Sequence, residues 1–326
     1  MKNKLWAFLL IGLTLLTGCS AKKDDVIKKL TKKLEKMDSY YIEGILEVTN
    51  NETTYKYDIN VSYKKDDNYR VDLKNQTNSH EQIILKNSDG VYVLTPSLNK
   101  SFKFQSEWPY NNSQSYLYQS LLNDIKNDNK KTCDKKGKNY IITTTVNYSN
   151  NKDLIKQKIY VDKNLNITKV EVLNKQDIVK IKMIYNKTKN DTNFDKNYFN
   201  LDSNMNTTQS AKTTAKISDI IYPLYIPDNT YLKSEDKLDN GKRVILTFSG
   251  DKDFTIIEQS ASLSNDYTTI PVYGDLEFIN DSIGNITDTT ASWTSNGIEY
   301  YAISDSMDKA ELLEVANSVS TIPVGK

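Results

Sequence analysis

Histidine is almost absent from this sequence, whose 326 residues contain a single one, His80, in the polar segment NQTNSHEQ. A histidine-based catalytic triad or zinc centre would therefore depend on this one residue. The sequence also lacks a phosphate-binding Gly-rich loop and a Gly-x-Ser-x-Gly elbow. Two distant carboxylates could still form a glycosidase pair, but no pattern points to one. We therefore predict a protein that is not an enzyme, has no cofactor or metal, and carries His80 in an exposed loop.

Cysteine is nearly as scarce, with Cys19 and Cys133 alone. Lys2 and Lys4 precede an apolar run over residues 5–16, and the sequence LTGC then ends at Cys19, a pattern typical of a lipoprotein signal peptide over residues 1–18. An uncleaved transmembrane helix is the alternative, but it needs about 20 apolar residues. We predict acylation of Cys19, palmitate included, and anchoring at the extracytoplasmic face of the cell membrane. Cys133 would then remain as a lone loop thiol.

A second long apolar run and an excess of charge of either sign are also missing. The chain has 43 basic and 42 acidic side chains and a mean hydropathy of −0.61. Near-neutral charge disfavours a nucleic-acid partner. Cleavage after residue 18 would leave a chain long enough for two domains. The segment 202–218, DSNMNTTQSAKTTAKIS, has few apolar residues. We predict domains over 19–201 and 217–326, joined by a flexible linker over 202–216.

The first domain begins with a helical pattern and then changes to a period of two. Val26, Leu30, Leu34 and Met37 recur at helical spacing, with Asp24 and Asp25 placed as an N-cap or first-turn acids. The following segment TYKYDINVSYK alternates strictly, which predicts a half-buried antiparallel strand with these residues on its apolar face: Tyr55, Tyr57, Ile59, Val61 and Tyr63. Similar alternation predicts about ten strands, each with one apolar and one polar face.

A second helix is predicted after Trp108-Pro109, capped near Ser113, with an apolar side made of Leu117, Tyr118, Leu121, Leu122 and Ile125. Two helices are few for so large a curved sheet, so we expect a concave cavity lined by aromatic residues. We assign Phe102, Phe104, Leu117 and Leu121 to the lining of this cleft. Trp108 and Pro109 are assigned to a lid or hinge, with a structural corner as the alternative.

The order of helix, long antiparallel meander, second helix and further strands resembles the LolA/LolB/RseB superfamily, which implies an open antiparallel β-barrel with covering helices. Residues 82–125, with ILKNSDGVYVLTPSLNKSFKFQSEWP followed by NNSQSYLYQSLLNDI, resemble the LolA-like sporulation and germination lipoproteins of endospore-forming bacteria, the YdcC/GerS type. The resemblance covers residues 19 to about 201. Its motifs carry no catalytic residues.

The C-terminal part combines strand patterns with a final amphipathic helix in MDKAELLEVANSVS. It resembles a small α+β domain of unknown function found in secreted lipoproteins, so the whole chain is expected to be mainly β in an α+β arrangement. Trp293, Tyr300 and Tyr301 are expected in the core or in cross-strand pairs.

The resemblance implies a function in the cell envelope during sporulation or germination. It implies binding of an envelope protein partner, such as a cortex-modifying amidase, or of an amphiphile in the apolar cleft. A carrier of lipid or of lipoprotein acyl chains is the first alternative, and an envelope hydrolase is the second. The sequence leaves the choice between carrier and partner-binding protein open, because both need an apolar inner face.

Overall fold

In the computed structural model, the described residues are 17–205, 217–262 and 268–319, with side chains described from residue 23 onward. The predicted signal peptide and the acylation of Cys19 therefore fall outside the described side chains. Residues 206–216 of the predicted linker also lie outside the described residues.

The first sheet has twelve strands in the order β15-β6-β5-β4-β3-β2-β1-β11-β10-β9-β8-β7. All neighbours are antiparallel except β15, which pairs in parallel with β6. The strands are β1 (Ser39–Asn50), β2 (Thr53–Lys64), β3 (Asn68–Asn75), β4 (Glu81–Asn87), β5 (Gly90–Thr95), β6 (Lys100–Gln105), β7 (Thr132–Lys136), β8 (Asn139–Thr145), β9 (Leu154–Val161), β10 (Ile167–Asn174), β11 (Val179–Asn190) and β15 (Thr268–Tyr273).

Strand β2 confirms the predicted alternation, because Tyr55, Tyr57, Ile59 and Val61 are buried and Tyr63 packs against the same core. Strands β4 and β5 differ from the predicted pattern, since both of their faces are buried. The outer face is covered by residues 194–205, which end in the short helix α3 (Leu201–Met205). The predicted linker therefore begins within this helix.

Two helices cover the inner face of the first sheet, as predicted, but both begin elsewhere than expected. Helix α1 (Thr17–Glu35) places Asp25 in its interior, where it forms an ion pair with Lys29 at 2.6 Å instead of capping the helix. Helix α2 (Tyr118–Asn127) begins after Leu117, so the predicted cap near Ser113 is wrong. Ser113 instead donates a hydrogen bond from Oγ to Asp124 Oδ1 at 3.0 Å.

The second sheet has seven antiparallel strands in the order β12-β13-β14-β19-β18-β17-β16. Helix α4 (Lys309–Ser318) packs on it, and the Asp308 side chain caps the helix by accepting from the Glu311 N–H at 2.9 Å. Trp293 and Tyr300 form the expected cross-strand pair, stacked at 5.2 Å between ring centroids. The strands are β12 (Thr230–Leu238), β13 (Arg243–Gly250), β14 (Phe254–Ser260), β16 (Asp275–Ile279), β17 (Ser282–Ile286), β18 (Thr290–Ser295) and β19 (Ile298–Ile303).

The expected mainly β, α+β architecture is confirmed, with two open sheets and no closed barrel among the described residues. Strand β15 belongs to the C-terminal part of the chain but extends the first sheet, and β16 follows it directly into the second sheet. Leu276 and Ile283 of the C-terminal part join the apolar core of the first sheet. The two sheets therefore share an apolar boundary, and the cavities described below lie there.

Candidate functional site

The larger cavity, called the primary cavity below, has a volume of about 580 Å³. One wall is the inner face of the first sheet, with Leu46, Val48 and Ile181. The opposite wall comes from the C-terminal part, with Phe278 on β16 and Leu313 on α4. The volume lies within the ~300–1,000 Å³ typical of small-molecule sites. These apolar side chains can shield a hydrocarbon group from water, while the rest of the lining is polar and includes several amide side chains.

One carboxyl group, that of Glu277 on β16, lies among these apolar walls. The side-chain amide of Asn150 donates a hydrogen bond to Glu277 Oε2 at 3.1 Å. Burial raises the pKa of Glu277 to about 7, and the Asn150 hydrogen bond opposes that rise in part. Among the described residues, no lysine or arginine nitrogen forms an ion pair with Glu277. The cavity thus contains a carboxyl group that changes charge near neutral pH.

Charged side chains also line the primary cavity nearer to solvent. Helix α4 contributes the carboxyl groups of Glu311 and Glu314, and its N-cap residue contributes that of Asp308. The basic lining side chains are Lys152 and Lys180. With Glu277 and Asp153, five acidic side chains face two basic ones, so the lining has an acidic excess.

A smaller cavity of about 220 Å³ lies between the β6–β15 edge of the first sheet and the second sheet. Phe102 and Phe104 line one side, and Trp293 lines the other. Lys100 and Glu299 also line this cavity and form an ion pair, with side-chain exposures of 8% and 12%. This buried pair links a strand of the first sheet to a strand of the second sheet.

The structure separates the residues that the sequence assigned to one cleft. Phe102 and Phe104 line the smaller cavity, whereas Leu117 and Leu121 are fully buried in the core and line neither of these two cavities. Trp108 is 2% exposed and lines the primary cavity.

The carbonyl of Trp108 accepts a hydrogen bond from Lys86 Nζ at 3.0 Å. Pro109, the other predicted lid or hinge residue, is buried and follows a cis peptide bond. The assignment of Trp108 and Pro109 to a lid or hinge stays a prediction.

The expectation that His80 is exposed and the expectation that Cys133 lies in a loop are both wrong. His80 is half-buried against the C-terminal part, its Nε2 has no hydrogen-bond partner, and burial lowers the pKa of its imidazole. Cys133 lies in strand β7, is 6% exposed, and has its thiol pKa raised by burial. Both expectations rested on the polar neighbours of these residues in the sequence. In the fold, elements that are distant in the chain cover their side chains.

The most informative residue of the primary cavity, Glu277, was not found from the sequence. In the segment YGDLEFIN it alternates with Leu276 and Phe278, as a solvent-facing residue of a strand would. Its position beside Asn150 depends on the contact between the two parts of the chain. No local signal in the sequence could have identified it.

The fold and cavities define a mainly β protein whose open sheets enclose apolar space. A family model described as "Sporulation protein YdcC-like" matches residues 2–199. "Sporulation protein YdcC" of Bacillus subtilis (strain 168) is 34% identical over 328 residues, covering 97% of this chain and 97% of the relative. The chain therefore belongs to the YdcC-like sporulation protein family, which confirms the resemblance noted from residues 82–125.

Solved structures with a similar fold are more distant. One is a chain of the Pseudomonas aeruginosa MucA/MucB complex, with a TM-score of 0.33 and 9% identity, covering 90% of this chain and 98% of that chain. Another is a chain of the CwlD amidase from Clostridioides difficile in complex with the GerS lipoprotein, with a TM-score of 0.30 and 21% identity, covering 53% of this chain and 96% of that chain. Similarity at this level carries no functional argument.

The described residues also bear on the requirements of a metal site and of a membrane-spanning helix. In the ranges 17–205, 217–262 and 268–319, no group of three or more His, Cys, Asp or Glu side chains is placed to hold a metal ion. In the same ranges, no helix has the length and apolar content needed to cross a membrane.

Proposed function

We propose that this sporulation protein is a non-enzymatic, lipid-anchored envelope protein whose primary cavity binds the apolar part of an amphiphile. The observation that carries the proposal is the cavity of about 580 Å³ between the two sheets, with apolar walls contributed by both parts of the chain. Burying an apolar ligand surface gains roughly 25 cal/mol for each Å² removed from water. A hydrocarbon chain is the kind of group that such walls favour.

The chemistry of the cavity supports binding rather than catalysis. Its interior carboxyl group, Glu277, is hydrogen-bonded to the amide of Asn150, which is neither a base nor a nucleophile. His80, the one histidine of the chain, lines neither cavity. A nucleophile activated by a general base must lie within hydrogen-bond reach of that base, and no described Ser, Thr or Cys side chain is hydrogen-bonded to the Glu277 carboxyl group.

The membrane attachment remains part of the proposal and rests on the sequence LTGC ending at Cys19. We propose acylation of Cys19 and a location at the extracytoplasmic face of the membrane, with domains over 19–201 and 217–326. Two or three acyl chains anchor a protein far more firmly than one. Cys19→Ala should release the protein from membranes in cell fractionation, and a variant that is processed normally and stays membrane-bound would contradict the anchor.

Ligand binding can be tested with a soluble form of the chain that begins after Cys19. Native mass spectrometry should show one dodecanol molecule retained per protein. Ile181→Trp should abolish retention, because Ile181 is a half-buried residue of the cavity wall and the indole would fill the space. Ile178→Trp is the matched control, since Ile178 is 54% exposed and lies outside the cavity. Equal retention in both variants would contradict binding in the primary cavity.

A second candidate function is binding of an envelope protein partner, such as a cortex-modifying amidase. It is favoured by a concentration of exposed large apolar side chains between residues 222 and 238, of which Leu224 (72%) and Tyr231 (64%) are the most exposed. Leu224→Asp should weaken cross-linking to such a partner in sporulating cells. Ile155→Asp, at an exposed position of strand β9, is the control and should leave cross-linking unchanged. Unchanged cross-linking in Leu224→Asp would exclude this surface.

A further inference from the structure

Among the described residues, no lysine or arginine nitrogen forms an ion pair with the carboxyl group of Glu277, which lies between apolar walls. Ionised groups in protein interiors are normally paired, because an unpaired buried charge is costly. The hydrogen bond from Asn150 satisfies one oxygen but supplies no positive charge. A ligand that enters the cavity can therefore provide the missing counter-charge.

The titratable groups described around Glu277 form no ion pair with its carboxylate, so a ligand can supply the counter-charge. Lys309 of α4 is near enough to oppose the rise of the Glu277 pKa, but its ammonium is paired with Asp275 of the same strand as Glu277 at 3.4 Å and with Asp288 at 3.5 Å. The loops opposite contribute Tyr116 and Tyr148, which are neutral because burial raises their pKa values far above the physiological range.

The charges nearer to the solvent favour a cation as well. The acidic lining side chains near the solvent are Asp153, the α4 cap Asp308, and Glu311 and Glu314 of α4, and the basic ones are Lys152 and Lys180. Glu311 is partly neutralised by Lys252 at 3.1 Å, but Lys252 does not line the cavity. A lining with an acidic excess attracts cations and repels anions such as fatty acids.

We propose that the amphiphile bound in the primary cavity carries a protonated amine or guanidinium group, which forms a charge-assisted hydrogen bond with the carboxylate of Glu277. This inference rests on the proposed function, because it names the class of ligand for the same cavity. The hydrocarbon part of the ligand lies between Val48 of the first sheet and Phe278 of the second. A neutral or anionic amphiphile in the same cavity would lack the ionic contact with Glu277.

The protonation state of Glu277 gives the inference a pH dependence. Burial raises the pKa of this carboxyl group to about 7, so it is neutral in the empty cavity at pH 6 and ionised at pH 8. An alkylamine stays protonated across this range, because amines of this kind resemble lysine, with a pKa of ~10. Its affinity should therefore rise from pH 6 to pH 8, and binding below pH 7 should release a proton. The affinity of an uncharged alcohol has no such dependence on Glu277.

The test compares dodecylamine, dodecanol and dodecyl sulfate below their micellar concentrations, by titration calorimetry with the soluble chain at pH 8. A hydrogen bond to a charged group contributes about 1.5–3 kcal/mol, so dodecylamine should bind at least ~10-fold tighter than dodecanol. Glu277→Gln should remove this preference without weakening dodecanol binding. Glu314→Gln is the comparison variant and should weaken dodecylamine binding only slightly, because it removes a lining carboxylate at an exposed position of α4, where solvent and salt screen the charge.

The outcomes separate the inference from the proposed function. Equal affinity for dodecylamine and dodecanol in the wild-type chain would overturn the inference and leave the proposed function standing. A preference that Glu277→Gln retains, or that Glu314→Gln removes equally, would also overturn it. Binding of none of the three amphiphiles would overturn the proposed function and the inference together. Loss of the preference in Glu277→Gln alone, with a rise of affinity between pH 6 and pH 8, supports the inference.

Discussion

Replacing Glu277 with Gln should make the empty protein more stable at neutral pH than the wild type. In the folded protein, burial raises the pKa of this carboxyl group from 4.5 to about 7. Below pH 4.5 the group is protonated in both states and its ionisation contributes nothing. Between pH 4.5 and 7, the unfolded chain releases the proton while the folded protein retains it. The contribution of Glu277 to the unfolding free energy therefore falls as pH rises from 4.5 and levels off above pH 7.

The size of this stability difference follows from the shift in the pKa of Glu277. Each pKa unit corresponds to ~1.4 kcal/mol, and Glu277 lines a cavity that water can enter, so we expect a cost of about 2–3 kcal/mol above pH 7. Glutamine keeps the size and the hydrogen bond with Asn150 but does not ionise. The stability difference between Glu277→Gln and the wild type should therefore grow by about 2–3 kcal/mol between pH 4.5 and pH 7.5.

Urea unfolding followed by tryptophan fluorescence at several pH values measures this difference. Other groups that titrate in this range are present in both proteins and cancel in the comparison. Glu314→Gln provides the matched control at an exposed lining position, and its difference from the wild type should stay nearly constant. A constant difference for Glu277→Gln across the same range would refute the unpaired, half-buried carboxyl group on which the ligand inference depends.

Three further predictions concern contacts outside the primary cavity. Glu299→Gln should cost about 3–5 kcal/mol in urea unfolding, because it leaves the buried ammonium of Lys100 without its partner; a cost below 1 kcal/mol would contradict this. His80→Gln should lessen the loss of stability between pH 6.5 and 5, since burial lowers the imidazole pKa and protonation favours the unfolded chain; an unchanged pH profile would count against it. Gly44→Ala should cost about 1–3 kcal/mol in thermal unfolding, because a Cβ would lie 2.3 Å from the Ile184 carbonyl oxygen, and wild-type stability would show that the strand can shift.

The fold was predictable from the sequence wherever the burial of a side chain depends on residues close to it in the chain. The alternation from Tyr55 to Tyr63 places one face of β2 in the core because strand side chains point to opposite faces. The same rule failed for β4 and β5, whose outer faces are covered by the distant residues 194–205. A local period cannot report on a segment that arrives from more than 100 residues away in the chain.

The candidate site was less predictable, because its walls come from distant parts of the chain. Phe102 and Phe104 do line a cavity, but its other side is formed by Trp293 of the second sheet, not by the helix of Leu121. Strand β15 extends the first sheet although it contains Pro271, which is tolerated at a sheet edge. Only tertiary contacts bring Glu277 to the inner face of the first sheet.

The central claim is that an amphiphile lies between the two sheets, and photoaffinity labelling tests it most directly. A long-chain alcohol carrying a diazirine, bound to the soluble chain and irradiated, should label peptides from both walls, including residues 46–51 and 276–278. Excess dodecanol should compete with this labelling, and Ile181→Trp should prevent it. Labelling confined to the exposed residues 222–238, or unaffected by Ile181→Trp, would contradict the claim.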